Sequence, residues 1–175
     1  LWGEEGSPVQ CLLNRTRLGA TWRPTAALEL RVALMNEFTN WIEYPTEREF
    51  TFDEIVFEHL YARWRDTLGI PFEAKVGRQD MRLGDGFLII DGSPLDGSRS
   101  LYVNAGRLDL EPWPRQRVTF LYLRQPRRDT MLPVINDQAR ALAEYTRRIW
   151  GVYFAGGPQD TNVDAYILAS RGPYK

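Results

Sequence analysis

A single histidine, His59, and a single cysteine, Cys11, serve a chain of 175 residues. That scarcity excludes most familiar catalytic constellations. A Ser-His-Asp or Cys-His unit needs an imidazole base, and a zinc site needs several imidazoles or thiolates converging on one ion. One cysteine cannot form an internal disulfide, which fits a reducing compartment. Long apolar runs are missing as well: no stretch approaches the ~20 residues of a membrane-spanning helix, and the N-terminal residues lack the basic-then-apolar design of a signal peptide. An excess of one charge is also lacking. The formal net charge is −1, so long-range attraction for nucleic acid or anionic membranes is not expected. The expectation is a cytoplasmic protein with no membrane partner, no nucleic-acid partner, no cofactor and no metal.

What is present is a hydrophobic content of 43% with 13% aromatic residues, enough for one soluble globular domain. Met35 is a candidate start, and only Ala26 to Leu34 is periodic before it. Residues 1–34 are therefore set apart as an N-terminal segment, with a single domain over 35–175. The sequon Asn14-Arg15-Thr16 is read as a chance match.

Thr51-Phe52-Asp53-Glu54 has the spacing of a capping box, with Phe50 and Ile55 placed for a hydrophobic staple. Phe52, Ile55, Val56, Leu60 and Trp64 recur at helical spacing, so a helix is expected from Thr51 until Gly69 and Pro71 stop it. Four strands are expected next: Phe72 to Val76, Phe87 to Ile90, Leu101 to Val103 continuing to Leu110, and Val118 to Leu123. The Asp91-Gly92 and Asp96-Gly97 pairs suggest a hairpin tip between the second and third. Val118 to Leu123 is apolar on both alternating faces, as in a central strand covered on both sides. A second helix is expected from about Leu132 to Trp150, striped by Ile135, Ala139, Leu142 and Ile149. Val152 to Ala155 and Val163 to Ala169 then read as strands across Gly156-Gly157-Pro158. The order α-β-β-β-β-α-β-β predicts an α+β fold with a mostly antiparallel sheet.

No residue stands out as catalytic. His59 lies on the flank of the first expected helix and reads as a packing residue, and Cys11 as an inert thiol in a small apolar patch. The Asp-Gly pairs are explained by turn chemistry, because their spacing matches no EF-hand or phosphate loop. Arg115, Arg117, Arg124, Arg127 and Arg128 near Trp113 form the only concentrated basic segment. Arg and Trp are enriched in interface hot spots, so this cluster is read as a subunit contact, with Asp109 and Glu111 as partners. Carboxylate and tyrosine pairs, Asp109 or Glu111 with Tyr102 or Tyr122, leave open a small enzyme or ligand-binding domain with a Tyr/Trp-lined pocket. A monomeric partner-binding inhibitor domain is a further alternative.

The element order resembles that of the tail-terminator proteins of long-tailed bacteriophages. The similarity is densest in Phe87-Leu88-Ile89-Ile90-Asp91-Gly92-Ser93-Pro94, in Gln116 to Pro126, and in the expected helix containing Asp137 to Trp150. The resemblance implies a non-enzymatic assembly protein, a homo-oligomeric ring that joins other virion neck or tail proteins and ends in the virion. Under it, the interface residues would be Asp91, Asp96 and Arg99 in one loop, Arg124, Arg127 and Arg128 in another, with Trp113 and Arg115 as secondary contacts.

Overall fold

The computed structural model describes residues 11–41, 54–66, 71–84, 102–139, 141–158 and 161–172. Eight strands follow one another along the chain: β1 (Cys11–Trp22), β2 (Leu28–Trp41), β3 (Ile55–Asp66), β4 (Phe72–Gln79), β5 (Val103–Trp113), β6 (Gln116–Gln125), β7 (Arg147–Gly156) and β8 (Val163–Arg171). Each pairs antiparallel with the next, giving one up-and-down sheet in the order β1-β2-β3-β4-β5-β6-β7-β8. Among the described residues there is no helix, so the α+β expectation is corrected to an all-β antiparallel sheet.

The first expected helix is strand β3. Its apolar positions Phe57, Leu60, Ala62 and Trp64 share one face, but the register against β2 slips between Ala33 and Leu34, where Ala33 meets His59 and Leu34 meets Phe57. The extra residue is a bulge that shifts the two-residue period by one. Apolar side chains on either side of it then fall three and four apart, which imitates a helix. Thr51 to Asp53, and with them the capping box, lie outside the described residues.

The second expected helix is also absent. Residues 126–139 and 141–146 are irregular, with Asn136 and Ala139 in left-handed backbone angles (φ 56° and 53°). Ile135 makes an isolated two-bond bridge to Ile55. Residues from Arg147 onward are strand β7, where Ile149 packs against a cluster of Met81, Leu83, Ala105, Leu121, Leu123 and Tyr153. The expected strands at Phe72, Val118, Val152 and Val163 fall within β4, β6, β7 and β8, and the part of Leu101–Leu110 from Val103 onward falls within β5, Leu101 lying outside the described residues. The run Phe87–Ile90 lies outside the described residues. Val118 to Leu123 is not covered on both faces, because Phe120 and Tyr122 are exposed. Residues 11–34 supply β1 and half of β2, and Met35 stands fully buried in the middle of β2.

The connections alternate in length. Turns at one end are short, namely 23–27, 67–71, 114–115 and 157–162, while those at the other are long, namely 42–54, 80–102 and 126–146. Gly77 is a tight point of the sheet where the backbone also takes a positive φ. Its φ of +124° and a would-be Cβ only 2.2 Å from the Leu60 carbonyl oxygen exclude other residues. Gly77→Ala is expected to cost about 1–3 kcal/mol. At Gly106, by contrast, a Cβ meets nothing within 4 Å, and Gly106→Ala should unfold at nearly the wild-type denaturant midpoint.

Candidate functional site

Successive side chains of a strand point to opposite faces, and directly opposed residues of neighbouring strands share a face. The register therefore sorts the sheet into two chemically distinct surfaces. One row crosses all eight strands as Trp22, Leu30, Ala62, Val76, Gly106, Tyr122, Trp150 and Ala169. The next row toward the short turns is Leu28, Trp64, Ala74, Leu108, Phe120, Val152 and Ile167. Beyond it, Phe72, Leu110, Val118, Phe154 and Ala165 continue the same face. This apolar face is turned outward: Trp22 is 65% exposed, Val76 62% and Ile167 81%. From strand spacing and rise, the three rows span on the order of 38 Å by 20 Å.

A shallow trough of about 780 Å³ runs along this face, floored by Ala62, Ala74 and Gly106 and walled by Trp64, Phe120, Tyr122 and Trp150. Small residues on the inner strands between large aromatic ones create it.

The opposite face holds the charges, and holds them paired. Arg15 donates to Glu37 at 2.7 and 2.9 Å, and Arg17 meets Glu58 at 2.6 Å. Glu29 receives Arg63 at 2.6 Å and Arg23 at 2.8 Å. Arg65 pairs with Glu73, Arg107 with Asp109 at 2.7 Å, and Arg117 with Glu111 at 2.6 Å. The Thr119 hydroxyl donates to Asp109 at 2.5 Å. Glu37 is only 2% exposed, and Glu29, Glu58 and Asp109 are also buried. A polar pocket of about 440 Å³ opens near the short turns, lined by Arg65, Glu73, Lys75, Arg107, Asp109, Glu111 and Arg117 among others.

At the long-loop end a compact ionic cluster ties the 126–146 connection to the sheet. Arg78 donates to both oxygens of Asp129 at 2.6 and 2.7 Å, to the Phe57 carbonyl at 3.1 Å and to Asn104 at 3.2 Å. The Tyr102 hydroxyl donates to Asp129 at 2.6 Å, and its ring lies 4.2 Å from the Arg78 guanidinium carbon.

His59 is fully engaged as well. Arg31 Nε donates to its Nδ1 at 3.3 Å, so Nε2 is the donor to Asp80 at 2.9 Å. Neither ring nitrogen is left to act as a base. This triad was invisible in the sequence, because Arg31 and Asp80 reach His59 only through the register of β2, β3 and β4.

The expected interface residues do not form one site. Asp91, Asp96 and Arg99 lie outside the described residues. Trp113 and Arg115 sit at the two-residue turn between β5 and β6, with Arg115 in a left-handed conformation (φ 60°). Arg124 ends β6 at the opposite end, about 30 Å away for a strand of this length, and Arg127 and Arg128 are exposed in the connection beyond it. The expected carboxylate and tyrosine pairs are not formed either. Asp109 is held by Arg107 and Thr119, Glu111 by Arg117, and Tyr102 by Asp129, while Tyr122 points into the apolar face. The Cys11 side chain is outside the described residues. No group of three or more His, Cys, Asp or Glu residues able to hold a metal ion occurs among the described residues.

Comparison with family models, with curated proteins and with solved structures returns no match.

Proposed function

We propose that this sheet is wall material of a transmembrane β-barrel of the outer-membrane type, with its apolar face on lipid and its charged face toward a water-bearing interior. The observation that carries the reading is the inversion of the two faces. Large apolar residues are exposed on this face in β1, β3, β4, β6, β7 and β8, while the buried carboxylates Glu29, Glu37, Glu58 and Asp109 are held in ion pairs on the reverse. A soluble monomer seldom exposes a contiguous apolar patch beyond about 300–600 Å², and the three rows outline an area at that limit, on the order of 650 Å².

Three further features support it. Seven of the eight strands have nine to fourteen residues, and β4 has eight; a tilted strand needs about 9–11 to cross a bilayer. Short turns at one end and long loops at the other reproduce the asymmetry of outer-membrane barrels. Aromatic residues occupy both limits of the band: Phe72 and Phe154 lie in the row nearest the short turns and Trp22, Tyr122 and Trp150 in the row nearest the loops, with Trp64 and Phe120 in the row between. Amphipathic rings favour the membrane-water boundary. No helix among the described residues is long and apolar enough to cross a membrane, and a barrel needs none.

This reading departs from the expectation of a cytoplasmic, membrane-free ring. The ring expectation drew on a succession of helices and strands that the fold does not contain, and it loses that support. The test is extraction of the full chain from cells. A protein that stays in the membrane pellet under alkaline carbonate, dissolves only in detergent and migrates differently before and after boiling in SDS supports the barrel. A water-soluble protein whose molar mass by light scattering is that of a closed ring would return the assembly reading to first place.

A further inference from the structure

The row just beyond the apolar face, on the loop side of β4 to β8, is Arg78, Asn104, Arg124, Arg148 and Arg171, each directly opposite the next. Arg78 is neutralised by Asp129. Arg124, Arg148 and Arg171 have no ion-pair partner among the described residues, and the Nε of Arg124 and the Nδ2 of Asn104 are buried without a hydrogen-bond partner. The row stands one pleat repeat, roughly 7 Å, above Gly106, Tyr122 and Trp150, which line the trough. An unpaired cationic rim therefore sits directly over an apolar channel.

We infer that this surface is a binding site for a phosphate-bearing membrane amphiphile: an acyl chain lies in the trough over Ala62, Ala74 and Gly106, and the headgroup phosphate sits on Arg124 and Arg148. The inference rests on the barrel reading and adds a ligand class to it. Arginine is suited to the task because its planar donors can bind a phosphate through two parallel hydrogen bonds. The site lies at the long-loop limit of the band, which in outer-membrane barrels is the extracellular one. The ligand is accordingly a phosphorylated lipid of the outer leaflet. A free anion has no use for the trough, and a neutral lipid none for the arginines.

The full chain, embedded in phosphatidylcholine nanodiscs doped with lipid A or with its dephosphorylated form, is released into detergent and its retained lipid counted by native mass spectrometry. Wild type is expected to retain lipid A in preference to the dephosphorylated form. The R124Q/R148Q pair should lower that retention by about tenfold, the worth of one good charge-assisted contact. Gly106→Leu, which has open space above it, should lower it by filling the trough while leaving every charge in place. Equal retention of the two lipids, or wild-type retention by R124Q/R148Q, overturns the site while leaving the barrel intact. A chain that does not enter the nanodisc, judged by boiling-dependent migration, overturns both readings.

Discussion

Ile167→Arg is expected to destabilise the protein in lipid vesicles by about 2–4 kcal/mol, the cost of a cationic side chain near the middle of a bilayer. Ile167 lies in the central apolar row opposite Val152 and is 81% exposed. For a protein in water, that exposure makes the substitution nearly silent, since surface changes usually stay within about 0.5 kcal/mol. The two environments thus predict different outcomes for one residue. Denaturant unfolding from vesicles, followed by tryptophan fluorescence, measures it. A change below about 0.5 kcal/mol would mean that this face does not meet hydrocarbon. Val152→Arg, on the neighbouring strand, serves as an independent copy of the experiment.

A comparable effect is expected at the ionic cluster. Arg78 and Asp129 have side chains 1% and 2% exposed, so Asp129→Ala strands a buried guanidinium. Breaking a buried pair from one side costs about 3–5 kcal/mol. Replacing both members, as in Arg78→Met with Asp129→Leu, should recover much of that loss, because neither charge then has to be desolvated. The contrast between single and double variants separates the penalty of an orphaned charge from the net worth of the pair. Asp129 also anchors the 126–146 connection through Tyr102, so limited proteolysis of Asp129→Ala should cut first between Pro126 and Thr146. Stability within about 1 kcal/mol of wild type would show that the cluster is dispensable.

Five of the eight strands could be read from the sequence, because β4, β5, β6, β7 and β8 contain short apolar runs bounded by turn residues. The others failed for identifiable reasons. In β3 the bulge beside His59 broke the two-residue period. In β1 the positions facing the charged surface include Arg15 and Arg17, each matched to an acidic residue on another strand, and such a segment looks like a patchy linker until its partners are known. The candidate site was illegible for a deeper reason. Sequence patterning tells which residues alternate and says nothing of which face is outside. The usual assumption puts the apolar face within, and here a broad apolar face is exposed while the buried cluster of Ala105, Leu121, Leu123 and Tyr153 shares the reverse face with the paired charges. Arg124 was noticed as part of a basic cluster, but its true neighbours are Asn104 and Arg148, brought beside it by register from distant parts of the chain.

The alternation of apolar and charged positions also bears on how such a chain would reach an outer membrane. A translocation channel releases sideways those segments that are continuously apolar over about 20 residues, and retains nothing shorter or more diluted. In β2 the sequence from Leu28 to Met35 places Glu29, Arg31 and Ala33 between its leucines and valine, so no window is greasy enough to be halted in the inner bilayer. In the proposed barrel the lipid-facing surface would exist only after neighbouring strands pair. Until then its components would be spread thinly along a chain that passes as hydrophilic, and the same dilution that would hide a barrel protein from a reader of its sequence would let it through the first membrane on its way to the second.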